Sequence, residues 1–263
     1  MLTISPLFSG SSGNSTYISS DEHSLLIDAG VTGKQLDEAF SLIKRDPSKL
    51  GGILITHEHS DHIKGVGVIS RRYGVPVYAN APTWEAMEGK LGKIAAHNIR
   101  IIDDTEFYIG DICVKPIPLH HDAVCPRGYS VFCGSKKFTV LTDTGHITRS
   151  MLAEAAGSDI VLLESNHDVE MLKCGSYPFQ LKQRILSGNG HMSNDDAATV
   201  AVELVKSGVR GILLGHLSLE NNFPSLAQKT VSDGLVAGGV VVGKDVALQT
   251  ARRLTPTGVY ILK

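Results

Sequence analysis

His57-Glu58-His59-Ser60-Asp61-His62 gathers three imidazoles and a carboxylate into one short run. His57 and His59 stand two apart, so in an extended segment they share a face. Asp61 and His62 follow in a turn that leads into a helix, where they address a second position. Neutral imidazole nitrogen and carboxylate oxygen suit zinc, manganese or iron. A site without cysteine also leaves coordination positions for water, which catalysis requires. A lone histidine is more often a satisfied polar residue; this density of ligand types reverses that reading.

Immediately before the run stands the apolar stretch Ile53-Leu54-Ile55-Thr56. The same pattern recurs: Val140-Leu141-Thr142 ends in Asp143, and Ile212-Leu213-Leu214-Gly215 ends in His216. Strand alternation through Ile117 and Leu119 leads to His121. In sheets covered on both faces, ligand sites gather where the strands emerge, so these four ends are expected to converge. The pair His120-His121 offers two candidates. Register with Ile117 and Leu119 favours His121, with His120 as the alternative beside it.

Hydrophobic patterning predicts strands over 2–8, 14–19, 24–27, 75–78, 99–102, 111–119, 130–133, 138–142, 160–163 and 211–214. Helices are expected over 32–43, 63–73, 179–186 and from Ser193 to about Lys206, the last opened by a capping-box-like Ser-Asn-Asp-Asp. Past Pro224 the chain reads as a helix and then strands at 240–242, 246–248 and 259–262, assigned to the second sheet. Strands then helices, twice over, fit a four-layer αββα sandwich. No linker or repeat divides the sequence, so a single domain over 1–263 is expected. Gly10–Ser15 lacks the lysine and helix of a phosphate loop and reads as a tight hairpin; no dinucleotide cofactor is expected.

Lys+Arg 25 against Asp+Glu 27 gives a formal charge of −2, which does not advertise nucleic-acid binding but leaves local basic patches open. Lys44-Arg45, Arg71-Arg72, Lys136-Lys137 and Arg252-Arg253 are candidates for a DNA track, each alone more often a solvated face. The four cysteines lack paired spacing, and no segment is long and apolar enough to span a bilayer. The expectation is a cytoplasmic protein with reduced, buried or half-buried thiols and no membrane association; its oligomeric state is open.

His-x-His-x-Asp-His, with Asp28 in Asp-Ala-Gly, Asp143 in Thr-Asp-Thr-Gly and His216 in Gly-His-Leu-Ser, resembles the signature of the metallo-β-lactamase superfamily over about residues 1–220. More narrowly, the chain is similar to the YycJ/WalJ exonuclease group. That likeness rests on Gly10-Ser-Ser-Gly-Asn-Ser15, Glu164-Ser-Asn-His-Asp168, Tyr177-Pro178, Leu181-Lys182, Arg184-Ile185, Gly190-His-Met-Ser-Asn194 and the segment from His216 to Asn222. The resemblance implies two divalent ions (zinc, manganese or iron): His57, His59 and His121 on the first, Asp61, His62 and His216 on the second, and Asp143 bridging. Such ions acidify a shared water and neutralise charge developing on a phosphate, which suits phosphodiester hydrolysis.

Asp61 and His191 are the expected catalytic residues, one orienting the nucleophile and the other protonating the leaving oxygen or gripping the phosphate. His167, Ser193 and Asn222 are candidates for substrate binding, though Ser193 reads equally as a helix cap and Asn222 as a turn residue. Asp28 either supports the ligand loop from behind, with His120 as a neighbour to the site, or is only a turn aspartate. The leading expectation is a DNA exonuclease. The rivals are a hydrolase of a small phosphodiester, lactone or thioester using the same centre, and a binding module that keeps only the scaffold.

Overall fold

The first two strands, β1 (Leu2–Phe8) and β2 (Ser15–Ser19), form the expected hairpin: Ile4 faces Ile18, and the Gly13 N–H closes the turn on the Gly10 carbonyl at 2.9 Å. The computed structural model describes residues 1–263, and the chain divides into two compact units. The first comprises residues 1–118, 123–136 and 252–263; the second comprises 119–122 and 137–251.

In the first unit, β3 (Ser24–Ile27) pairs antiparallel with β2 and parallel with β4 (Gly52–Leu54). Between them runs α1 (Gly33–Leu42), capped by Thr32 in a capping box with Gln35 and burying Leu36, Ala39 and Phe40. After β4 come α2 (Ser60–Ile63), α3 (Val66–Tyr73), β5 (Val77–Asn80), α4 (Ala81–Ala86) and β6 (Ile99–Ile102). From β3 to β6 the pairing is parallel, so the loops after β3 and β4 leave from the same sheet edge. Every residue of β1, β2, β3 and β4 is buried, as strands covered on both faces require. The unit also carries an antiparallel meander of β7 (Phe107–Ile109), β8 (Ile112–Pro118) and β9 (Arg127–Cys133).

The second unit is built on four parallel strands: β10 (Lys136–Leu141), β11 (Ile160–Glu164), β12 (Gly211–Gly215) and, beyond them, β13 (Ala247–Thr250). The connections carry α5 (Arg149–Ala155), α6 (Val169–Cys174), α7 (Phe179–Ile185), α8 (Asn194–Lys206) and α9 (Pro224–Ala237). Parallel pairing again sends the C-terminal ends of β10, β11 and β12 to one edge. No helix is long and apolar enough to cross a membrane.

The tail departs from the sequence reading. Residues 240–242 form no strand, only an isolated bridge from Val242 to Val246, because Gly239 and Gly243 turn the chain at φ 82° and 87°. Tyr260–Leu262 does not complete the second sheet; it pairs antiparallel with β1, Leu262 opposite Leu2. Residues 75–78 yield a strand shifted to β5, since Pro76 has no N–H to place in a ladder. Cys174 is exposed rather than buried or half-buried.

Candidate metal centre

Pairing of β3 with β4 sets Asp28 beside Thr56, and the Asp28 N–H donates to the Leu54 carbonyl at 2.8 Å. Asp28 Oδ1 accepts from the Thr56 N–H at 2.9 Å, and Oδ2 accepts from Thr56 Oγ1 at 2.8 Å. His62 Nδ1 lies 2.7 Å from the same Oδ2, so this ring carries its proton on Nδ1. The single Thr56 hydroxyl proton goes to Asp28; His57 Nδ1, 3.0 Å from Oγ1, must therefore donate. Both rings thus keep the lone pair on Nε2, the tautomer a metal needs. Burial pushes the Asp28 carboxyl above its usual range, against the pull of His62.

Asn14, which sequence reasoning passed over, completes this half. Its side-chain amide reaches His62 Nε2 at 3.0 Å and Asp61 Oδ2 at 3.3 Å, and its N–H donates to the Asp61 carbonyl at 2.8 Å. The only advance signal was its place in the Gly10–Ser15 hairpin. A Cβ on Gly30 would fall 1.6 Å from the Asp61 carbonyl oxygen, which is why Asp28-Ala29 must be followed by glycine. The His57 ring lies 4.5 Å from that of His59 and 4.0 Å from that of His62. Glu58 points elsewhere, accepting the Val124 N–H at 2.9 Å.

In the second unit the organising group is Glu164, the last residue of β11 and fully buried. Its Oε1 lies 2.8 Å from His191 Nδ1 and 2.9 Å from His216 Nδ1, while Oε2 accepts the Thr144 N–H at 2.8 Å. Burial opposes its ionisation, but the two imidazoles outweigh burial and hold the carboxyl well below the usual range. The sequence motif containing Glu164 was noted, but its role was not, because a strand-terminal glutamate carries no signature of what it faces. Ligand atoms of Asp143, Glu164, His191 and His216 all lie within 4.8 Å of one another.

His121 is buried, its Nδ1 3.1 Å from the Gly190 carbonyl, which leaves Nε2 as the lone-pair nitrogen, 4.0 Å from Asp143 Oδ1. Burial pushes its pKa down and keeps the ring neutral. His120 instead stacks on His146 with ring centroids 4.3 Å apart.

Non-glycine residues with positive φ are few, and three of the four are site residues at strand ends: Asp28 at 60°, Asp143 at 60° and His216 at 53°. Each costs on the order of 1 kcal/mol, and such outliers cluster where function fixes the backbone. The donor set, oxygen and tautomer-fixed nitrogen without sulfur, fits a borderline divalent ion.

The three expected substrate groups lie deeper. Ser193 caps α8 in a capping box with Asp196. Asn222 donates to the Ser165 carbonyl at 2.9 Å and the Asn166 carbonyl at 3.1 Å. His167 is 1% exposed, with neither ring nitrogen hydrogen-bonded, and burial takes its pKa down to about 4. Of the basic pairs, Arg71 donates to the Leu91 carbonyl at 2.7 Å, Arg72 pairs with Asp37, and Lys137 binds the Glu154 and Ala156 carbonyls.

A family model described as a beta-lactamase superfamily domain matches residues 23–216. Exodeoxyribonuclease WalJ of Streptococcus pneumoniae is 45% identical over 91% of this chain and 90% of its own length. Exodeoxyribonuclease YycJ of Bacillus anthracis is 42% identical over 97% of each. The chain belongs to the beta-lactamase superfamily, in the WalJ/YycJ group. The crystal structure of the metallo-beta-lactamase fold protein YhfI from Bacillus subtilis, 18% identical, superposes with a TM-score of 0.74 over 99% of this chain and 100% of its own. That likeness establishes the metallo-β-lactamase fold, and with it the αββα sandwich read from the sequence.

Proposed function

We propose that the chain is an exodeoxyribonuclease, a single domain over residues 1–263 that uses two divalent ions. The observation that carries this is the near-full-length identity to two exodeoxyribonucleases, together with strand ends that present metal-ready side chains in each unit. In this reading His57, His59 and His121 would hold one ion, Asp61, His62 and His216 would hold the other, and Asp143 would be a ligand shared by the two. When bound, such ions supply Lewis acidity and lower the pKa of water. Zinc, manganese and iron all suit these ligands.

The residues divide the remaining work. Asp28 and Thr56 hold His62 and His57 in the metal-binding tautomer. Asp61 orients the attacking water, its position fixed by Asn14. His191, braced through Nδ1 by Glu164, is the group we assign to protonate the departing oxygen of the scissile phosphate. Ser193, Asn222 and His167 serve the substrate indirectly, by fixing the segments that carry His191 and His216. The protein acts inside the cell, in the cytoplasm.

The test is release of nucleotides from end-labelled single- and double-stranded DNA with manganese added. Loss of release on Asp61→Ala supports the reading; intact DNA with both metal sites filled contradicts it. One observation favours a rival: the Arg71, Arg72 and Lys137 side chains already hold partners within the protein, which competes with phosphate contacts. Hydrolysis confined to small phosphodiesters or thioesters would install that rival.

A further inference from the structure

Within the first unit, the sheet holds a cavity of about 380 Å³ at the end of β3 away from Asp28. Ser24 opens that strand and Asp28 follows it, about 13 Å further along by the rise per residue. The floor of the cavity is a row of hydroxyls set by strand register: Thr3 of β1 stands opposite Ser19 of β2, and Ser19 opposite Ser24 of β3. Tyr17, two residues before Ser19, lines the same space. Thr3, Tyr17 and Ser19 are only 2%, 5% and 6% exposed, yet none of their hydroxyls has a hydrogen-bond partner within the protein. Buried polar side chains are nearly always paired. Three unpaired donors opening on one cavity therefore ask for an acceptor there.

The wall is the segment that leaves α1, from which Lys44, Arg45 and Lys49 reach the cavity. It is tied to the sheet. The Arg45 N–H donates to the Phe40 carbonyl at 3.0 Å, the Gly51 N–H to the Ser24 carbonyl at 2.7 Å, and Ser24 Oγ to the Lys49 carbonyl at 3.1 Å. Two of the three carboxylates at the cavity are already engaged: Asp21 accepts from the Met1 amino group at 3.1 Å, and Asp46 from the N–H and hydroxyl of Ser48 at 2.9 and 2.7 Å. Lys49 stands near Asp46, and His23 is held by Asp111 at 2.9 Å. Lys44 and Arg45 make no ion pair, so they outnumber the remaining carboxylate, Glu22. Lys44 also holds φ 55°, where a side chain costs on the order of 1 kcal/mol that glycine would not. Its side chain serves no contact within the fold that would offset this.

Hydroxyl donors below and ammonium and guanidinium groups above match the oxygens of a phosphate group. The volume lies in the range of small-molecule pockets and exceeds what a bare anion fills. A nucleic-acid backbone lying on the surface meets a rim, whereas these donors lie beneath one.

We propose that this cavity is a second anion site, taking a phosphate group either free or carried on a small molecule. It stands apart from the candidate metal ligands and does not rest on the nuclease reading.

The test follows backbone amide shifts of the zinc-loaded protein by NMR as inorganic phosphate, thymidine 5′-monophosphate or thymidine is added. Phosphate and the monophosphate are expected to move the amides of Ser19, Ser24, Lys44 and Arg45 along one saturating curve, while thymidine leaves them in place. A tighter curve for the monophosphate identifies a phosphate ester as the ligand; equal curves identify free phosphate. Lys44→Gly relieves the strained φ and so keeps the fold, yet it removes a charge-assisted contact and should weaken binding roughly 10-fold or more. Ser19→Ala removes a neutral donor and should weaken it roughly 2- to 10-fold. No movement at these amides up to about 10 mM phosphate or monophosphate, equal movement with thymidine, or wild-type affinity in both variants overturns the site. So does movement confined to the amides of the His57–His62 run, which reports phosphate at the candidate centre instead. Movement with duplex DNA but not with phosphate or the monophosphate overturns it in favour of a nucleic-acid contact.

Discussion

Replacing Glu164 with glutamine changes one buried oxygen for an amide nitrogen and removes a charge. Both imidazole Nδ1 atoms sit on Oε1, at 2.8 and 2.9 Å, and the Thr144 N–H sits on Oε2 at 2.8 Å. If the glutamine oxygen takes the imidazoles, its NH2 group meets the Thr144 N–H, donor against donor. If the NH2 group takes the imidazoles, both rings must move their protons to Nε2, and His216 loses the lone pair that a metal uses. Hydrogen bonds to charged groups are worth about 1.5–3 kcal/mol, and a buried unsatisfied donor costs about 1–3 kcal/mol. Relief from burying a carboxylate offsets part of that sum. Glu164→Gln is therefore expected to lose about 2–3 kcal/mol of metal-free stability in urea denaturation. Groups that orient ligands from behind typically carry about 10- to 100-fold in metal affinity, and competition against a chromophoric chelator should show a loss in that range. Affinity and stability both equal to wild type would refute the orienting role.

Three further outcomes follow from other parts of the molecule. His167 is neutral in the fold because burial lowers its pKa to about 4; the unfolded chain takes up that proton near pH 6.5, so stability is full above about 6.5 and declines as pH falls toward about 4. The decline is about 3 kcal/mol, and urea denaturation at neutral and acid pH should show a shallower loss in His167→Gln. Lys44 occupies the left-handed position after α1 at φ 55° and is exposed, so Lys44→Gly should gain about 0.5–1 kcal/mol, or about 1–3 °C in calorimetry. Gly30→Ala drives a methyl into the Asp61 carbonyl, and metal analysis should find less than wild-type content even where circular dichroism is unchanged.

What the sequence showed in advance was whatever repeats along a strand or crowds into a short run. The ends of β4, β10 and β12 were legible because an unbroken apolar run stops just before His57, Asp143 and His216. Glu164, Asn14 and Thr56 were not, because their value lies in facing residues 52, 48 and 6 positions distant (His216, His62 and His62) across neighbouring segments. The short helices α4, α5 and α6 escaped for another reason: with six or seven residues each, they complete barely two turns of apolar periodicity. The C-terminal strand was recognised as a strand but given the wrong sheet, since pattern alone does not name a partner.

The account depends on two divalent ions being bound, and metal stoichiometry after equilibrium dialysis measures that directly. Wild type is expected to retain two ions per chain, and Asp143→Ala fewer than one, with the fold intact by circular dichroism. Folded wild-type protein that takes up none, or an Asp143→Ala variant that keeps its full complement, would contradict it.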